Sequence, residues 1–232
     1  MNINDMYQIC QYAINKAQNG YLSPSQFNLI INQAQISFQD YLLGEFQQYQ
    51  YGSAKPRIDY SQNENIRQRL APLIAEASLT IDGNGFASYP TDYAQTDSMR
   101  NPTTFARIRY VEQDSLYSYY NSTIDPIATN PIYLIEPTGY RFYPITLGTA
   151  KVTYVKTAPA MVWAYTLDGN GRPVYAPTQT GSGVTPSTGT VQPVWYDVDK
   201  LEIISRALKL VGLNLKDGMI EQYANQVTNN GQ

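Results

Sequence analysis

The sequence predicts an α+β protein in which helical pairs at the N- and C-terminal ends pack with a small antiparallel β-rich body carrying an extended loop or arm. Three observations predict it. Apolar residues recur at three- and four-residue steps over 3–49 and again after Asp197. Between Ala77 and Lys156 the period falls to two. A Gly/Thr/Ser/Pro-rich stretch then interrupts the pattern before the last helices. The chain accordingly divides into an N-terminal helical hairpin and linker (1–72), a β-rich body (73–163), an arm or loop (164–193) and C-terminal helices that pack on the N-terminal ones (194–232).

Residues 3–18 read as a first helix with Ile3, Met6, Tyr7, Cys10, Ile14 and Ala17 on one stripe, ended by Asn19-Gly20. Ser23-Pro24-Ser25-Gln26 combines a capping serine, a proline at the first helical position and a glutamine three residues after the cap. It opens a helix to about Tyr49 whose stripe is Phe27, Ile30, Ile31, Ala34, Phe38, Tyr41, Leu42 and Phe46. Tyr51–Tyr60 is a linker, and 62–70 forms a short helix closed by Pro72. Asp82-Gly83-Asn84-Gly85 between Ser78–Ile81 and Phe86–Tyr89 signals a hairpin. Strands follow at Ala106–Glu112, Ile132–Glu136, Tyr140–Tyr143 and Ala150–Lys156, with a short helix over Gln113–Asn121. Asp168-Gly169-Asn170-Gly171 repeats the earlier turn, and Pro177–Gly189 is too poor in large apolar residues to build a core of its own. Asp197 caps a helix with Leu201, Ile204, Leu208 and Val211 on its stripe; a last helix over 217–227 carries Met219, Ile220, Tyr223 and Val227.

Composition removes whole classes of chemistry. The chain has 232 residues and no histidine, so zincins, Ser-His-Asp triads and Cys-His pairs are excluded. No Walker-type or dinucleotide-binding glycine motif is present. Cys10, the one cysteine, lies on an apolar helical face and reads as a packing residue. The two Asp-Gly-Asn-Gly runs begin like calcium loops, but Phe86 and Arg172 stand where the next oxygen ligand belongs, so they read as turns. No cofactor or metal is expected. A glycosidase-type pair among the 19 acids stays formally open, with nothing to nominate it. The net charge of -3 gives no basic field for gripping nucleic acid. No secretory signal is expected at the N-terminus, and no apolar stretch approaches the roughly 20 residues of a membrane span.

Charged residues make up only 15% of the chain, against about 25% in ordinary domains, and Asn and Gln fill the difference. The 21 tyrosines suit a protein–protein contact, a sugar-stacking surface or an ordinary β-sheet core. Tyr117, Tyr119, Tyr120, Trp163, Tyr175, Trp195 and Tyr223 are the candidate interface residues, with Trp163 and Trp195 also placed to anchor the base of the arm. A carbohydrate- or protein-binding β-rich module is therefore the alternative function class.

Three stretches carry a resemblance: Tyr89-Pro90-Thr91-Asp92-Tyr93; the run from Ile132–Glu136 through Tyr140–Tyr143 to Val152–Lys156 and Ala158-Pro159; and Trp195–Leu215 followed by Asp217–Ala224 with its Tyr223-Ala224 pair. In these, and in its order of helical pair, β-rich body and helical return, the chain resembles the head-to-tail connector (adaptor or ring) proteins of short-tailed phages. Its Asn/Gln/Tyr-rich composition is similar to ring proteins of crAss-like phages. The resemblance implies a non-enzymatic virion protein at the portal vertex, made in the bacterial host cytoplasm. It further implies a ring, usually of twelve copies, that contacts itself, the portal and neighbouring connector or tail proteins, passes double-stranded DNA without binding it specifically, and involves no membrane. The arm at 164–193 departs from the family layout; deleting 166–192 is expected to leave a folded monomer that fails to join rings.

Overall fold

The computed structural model describes residues 1–16, 20–48, 64–119 and 125–211. Two units emerge, one formed by Met1–Arg69 with Ala158–Gln232 and the other by Leu70–Thr157. The first holds helices α1 (Ile3–Lys16), α2 (Pro24–Gln48), α3 (64–70) and α5 (Asp197–Leu210) with the hairpin β8 (Tyr165–Leu167) and β9 (Pro173–Tyr175). The second holds β1 (Ile74–Thr80), β2 (Phe86–Ser88), β3 (Tyr93–Arg100), β4 (Arg109–Tyr110), α4 (Gln113–Tyr119), β5 (Ile132–Glu136), β6 (Gly139–Tyr143) and β7 (Thr149–Lys156). The α+β class is as expected. The Tyr51–Tyr60 linker, Ala17 and the helix expected over 217–227 lie outside the described residues.

Local chemistry starts the helices. At α2 the Gln26 N–H donates to Ser23 Oγ at 3.4 Å and the Ser23 N–H to Gln26 Oε1 at 3.0 Å, the expected capping box. Asn2 and Asp5 exchange the same kind of bonds at α1, at 2.8 and 2.9 Å. Ile3, Met6, Tyr7, Cys10 and Ile14 are buried on α1, and Phe27, Ile31, Ala34, Phe38 and Leu42 on α2. Ile30 is only half-buried and Tyr41 is exposed, because Gln35 and Gln39 take the flank of the stripe instead.

Those amides belong to a ladder that fastens the returning chain to α2. Asn28, Asn32, Gln35 and Gln39 follow one another at helical spacing along one side of the helix. Asn28 Oδ1 accepts the Trp163 N–H at 2.8 Å, and its Nδ2 donates to the Trp163 carbonyl at 3.2 Å. Asn32 grips Met161 in the same two-handed way, at 2.8 Å on both sides. Gln35 Nε2 donates to the Pro159 carbonyl at 3.0 Å, and Gln39 Oε1 accepts the Ala158 N–H at 3.1 Å. Ala158, Pro159, Met161 and Trp163 thus have backbone groups satisfied by side chains of a helix, as a neighbouring strand would satisfy them.

α5 closes the same unit. Trp195, 2% exposed, packs edge-on against Phe38 at 5.0 Å and donates Nε1–H to Gln35 Oε1 at 3.3 Å. Arg69 reaches from α3 to buried Asp199 (2.6 Å) and to Glu202 (2.7 Å), with its guanidinium 5.1 Å from the Phe38 ring centre. Arg206 binds Glu202 from the other side at 2.9 Å. Two expectations need correction. Tyr196, in extended conformation, caps α5 and Asp197 is its first residue, where it accepts from Lys200 Nζ at 3.0 Å. The buried face is Ile203, Ile204, Ala207 and Leu208 with Asp199 and Lys200, leaving Leu201 in solvent; the ion pairs with Arg69 rotate the helix away from its purely apolar stripe.

In the β unit, β1-β7-β3 is one sheet and β2-β6-β5-β4 another, antiparallel throughout except for the β4–β5 pair. Leu79, Met99, Val152 and Tyr154 of the first sheet share a core with Ala87, Tyr133, Tyr140 and Phe142 of the second. The Asp82–Gly85 turn forms, but β1 and β2 are not a hairpin: β1 pairs with β7 and β2 with β6. A turn motif sets only the local reversal; Tyr140 and Phe142, both fully buried, decide which sheet β2 joins. β3 was not expected, since only Met99 of its eight residues is buried and two register shifts break its alternation. The strand expected at Ala106–Glu112 shrinks to two residues.

Asn32→Ala should lower the unfolding free energy by about 2–4 kcal/mol, because two buried backbone groups of Met161 lose their partner, whereas exposed Gln33→Ala should stay within about 0.5 kcal/mol; guanidinium unfolding of both variants measures the difference. A second expectation concerns alkali. Burial pushes the Tyr133 phenol up to about 12 and raises that of Tyr140, so folding favours the neutral rings. The stabilisation is fully present below the unfolded tyrosine value of about 10 and is lost as pH rises through the folded one. Urea unfolding followed with phenolate absorbance should show a phenol contribution to stability that is constant to about pH 10 and falls steadily beyond it.

Candidate functional site

Trp163 organises a cleft of the helical unit. Its ring is 3% exposed and lies 4.4 Å from Tyr7 on α1, 5.9 Å from Tyr165 on β8 and 5.7 Å from Tyr175 on β9. Its Nε1–H donates to Asn4 Oδ1 at 3.0 Å. The indole is thus fully engaged inside the chain, as is Trp195; both anchor the base of 164–193.

That segment is not an extended arm. Val162 and Val191 exchange backbone bonds at 3.1 and 2.9 Å, and Tyr165 and Thr185 do so at 2.9 and 2.8 Å. Ala164, Ala176 and Val184 are buried together, Thr190 Oγ1 donates to the Ala176 carbonyl at 2.8 Å, and Gln192 Oε1 accepts the Ile3 N–H at 3.0 Å. Small side chains suffice because the backbone supplies the cohesion. Removing 166–192 would strip Tyr175 from Trp163 and Val191 from Val162, so the segment is part of the fold and not a detachable appendage.

Between α1, the turn before α2 and the β8–β9 hairpin opens a cleft of about 710 Å³. Tyr7, Trp163 and Tyr175 form its inner wall; Asn4, Gln8, Gln11, Tyr21 and Arg172 supply polar groups. Tyr7 Oη donates to the Leu22 carbonyl at 3.1 Å and accepts from Gln11 Nε2 at 2.8 Å; burial, with Tyr21 Oη nearby, holds its phenol well above the ordinary value. None of the described lining residues is a carboxylate or thiol, so the cleft offers stacking and hydrogen bonds. Cys10 is buried elsewhere on α1, its thiol pushed up to about 12 by burial. Among the described residues no group of three or more Cys, Asp or Glu side chains is placed to hold a metal.

The two Asp-Gly-Asn-Gly turns are structural twins. In each, the aspartate Oδ1 accepts two backbone N–H groups, those of Asn84 and Phe86 at 2.9 and 2.8 Å, and those of Asn170 and Arg172 at 2.8 Å each. The carboxylates are spent on the turn, in keeping with turn chemistry. Gly85 and Gly171 both take positive φ, +78° and +74°. The twins differ in surroundings: a β-carbon on Gly85 would meet the Phe142 carbonyl oxygen at 2.7 Å, while one on Gly171 would meet nothing within 4 Å.

Of the other candidate interface residues, Tyr117 on α4 is exposed, and Tyr119 packs partly against Val111, Leu116, Ile132 and Leu134. Tyr175 is a half-buried wall of the cleft. Tyr120 and Tyr223 lie outside the described residues. The structure brings Trp163 and Tyr175 together and adds Tyr7, Tyr21, Gln11 and Arg172, which sequence reasoning did not single out as site residues. Only the proximity of Arg172 to the repeated turn hinted at it. No protein-family model matches the chain, and no curated protein matches it either.

Gly171→Ala should cost about 1 kcal/mol through left-handed strain alone, and Gly85→Ala roughly 2–4 kcal/mol because a clash adds to it; equilibrium urea unfolding of the two variants should rank them in that order.

Proposed function

We propose that the chain is a structural, non-enzymatic virion protein that forms a closed ring of a phage head-to-tail connector below the portal and lines the genome channel. The observation that carries this reading is the set of large apolar side chains left in solvent on two helices: Leu29 and Ile36 on α2 are 74% and 50% exposed, and Val198 and Leu201 on α5 are 77% and 56% exposed. Leu29, Ile36 and Val198 lie on the side of their helix away from the buried stripe and Leu201 at the edge of it, where a monomer gains little from them and a neighbour would cover them. The helical unit, built from both halves of the chain, suits a rigid ring element, and ring closure needs two different patches per subunit. The net charge of -3 suits a wall along which DNA slides.

The cleft beside Trp163 favours a second reading, a module that binds carbohydrate or a protein segment through Tyr21, Tyr175 and Arg172. Electron microscopy of the protein mixed with a candidate portal separates the two: rings seated on the portal support the connector, and glycan-array binding without rings supports the module. Leu29→Asp combined with Ile36→Asp should leave stability within about 0.5 kcal/mol per site and abolish ring formation. Rings that form undiminished from this variant would remove α2 from the contact.

A further inference from the structure

We infer that Asn170 is a site of spontaneous deamidation in the folded protein, and that its twin Asn84 is protected. Each asparagine precedes a glycine. In such a pair the glycine nitrogen has no neighbouring β-carbon to shield it. The reaction needs only water. The Gly171 backbone nitrogen attacks Cγ of Asn170; the N–Cγ bond forms and the Cγ–Nδ2 bond breaks. The glycine N–H proton passes to solvent base, and the side-chain nitrogen leaves as ammonia. Water then opens the five-membered succinimide on either side, leaving aspartate or isoaspartate at 170. No electrons are gained or lost.

The two turns begin equal. Gly85 N–H donates to the Asp82 carbonyl at 3.0 Å, and Gly171 N–H donates to the Asp168 carbonyl at 3.0 Å. That bond must open before the nitrogen can attack. The aspartate bonds within the turns match as well; what differs is what ties each loop to the strands around it. The Gly85 carbonyl accepts the Phe142 N–H at 2.7 Å, and the Asn84 carbonyl accepts from Arg141 Nη1 at 3.0 Å. Arg141 is itself clamped by Glu136 at 2.8 Å. Gly85 is buried against Ile145, whereas Gly171 is exposed with open space around it. A loop tied by fewer bonds opens locally more often. Two additional hydrogen bonds at the Asn84 turn slow its opening on the order of tenfold or more.

The consequence falls on the cleft. Gly171 and Arg172 line it, and Arg172 is the one charged residue among its described lining. Deamidation places a new carboxylate, or an isoaspartyl kink, next to that guanidinium. The cleft then passes from net cationic to neutral, and isoaspartate displaces the backbone that carries Arg172. This inference does not depend on the connector reading.

The test uses the full chain, aged at mildly alkaline pH and physiological temperature and sampled by peptide mass spectrometry, with isoaspartate confirmed by enzymatic methylation. In the folded protein, the peptide holding Asn170 should convert roughly tenfold faster than the peptide holding Asn84. In denaturant the two should convert at similar rates, since the sequence around both reactive centres is the same tetrapeptide. Arg141→Ala should accelerate conversion at Asn84 and leave Asn170 unchanged. Equal rates in the folded chain, or a faster Asn84, overturn the inference. So does a folded chain whose Asn170 stays intact over the time in which the denatured chain converts fully.

Discussion

The helical unit depends on a row of four amides. Asn28, Asn32, Gln35 and Gln39 carry the backbone of 158–163 along the side of α2, and everything that follows in the chain inherits its position from that fastening. A carboxamide suits the task because it offers a donor NH2 and an acceptor oxygen at the spacing of a peptide group, without a charge to desolvate. Trp163 is delivered by the last rung to Tyr7, and Trp195 returns to the same row through Gln35. The high Asn and Gln content is therefore partly structural: these side chains replace a strand that the fold lacks.

The β unit solves a related problem with phenols. Tyr93 Oη, Thr96 Oγ1 and Tyr140 Oη join in one chain of bonds at 3.0 and 2.7 Å, Tyr89 Oη donates to the Glu136 carbonyl at 2.7 Å, and Tyr154 Oη to Asp92 at 2.8 Å. The rings fill the space between the sheets, with Tyr89 and Tyr93 stacked at 4.5 Å and Tyr140 edge-on to Tyr89 at 4.7 Å. Large rings bury much area, and their hydroxyls find partners at the margin of the core. Tyr89, Tyr93, Tyr140 and Tyr154 are spent in this way, and none of them is among the candidate interface residues. On α2 and α5 the aliphatic side chains Leu29, Ile36, Val198 and Leu201 stand in solvent.

Elements whose signal is local were legible. The capping box at Ser23, the β5–β6–β7 run and both Asp-Gly-Asn-Gly turns follow from residues within a few positions of one another. Elements whose signal is a distant partner were not. β3 is an edge strand with two register shifts and shows no alternation. α5 turns to present Asp199 to Arg69, which lies far back in the chain. The segment 164–193 looked coreless because its cohesion comes from backbone pairing and from stacking on Trp163, neither of which composition records. Of the cleft, Trp163 and Tyr175 could be named beforehand, while Tyr7 read as a core residue and Gln11 as an ordinary polar position.

From the amino acids alone came the α+β class, the order of the described helices and strands apart from β3, the identity of the turns and the absence of imidazole chemistry, since each rests on short-range periodicity or on composition. Tertiary structure decided which strands pair, which face α5 buries, and where the tryptophans and tyrosines are committed. Those choices depend on satisfying buried polar groups across long sequence separations, and a backbone N–H at Met161 leaves no mark on the sequence of the helix that answers it.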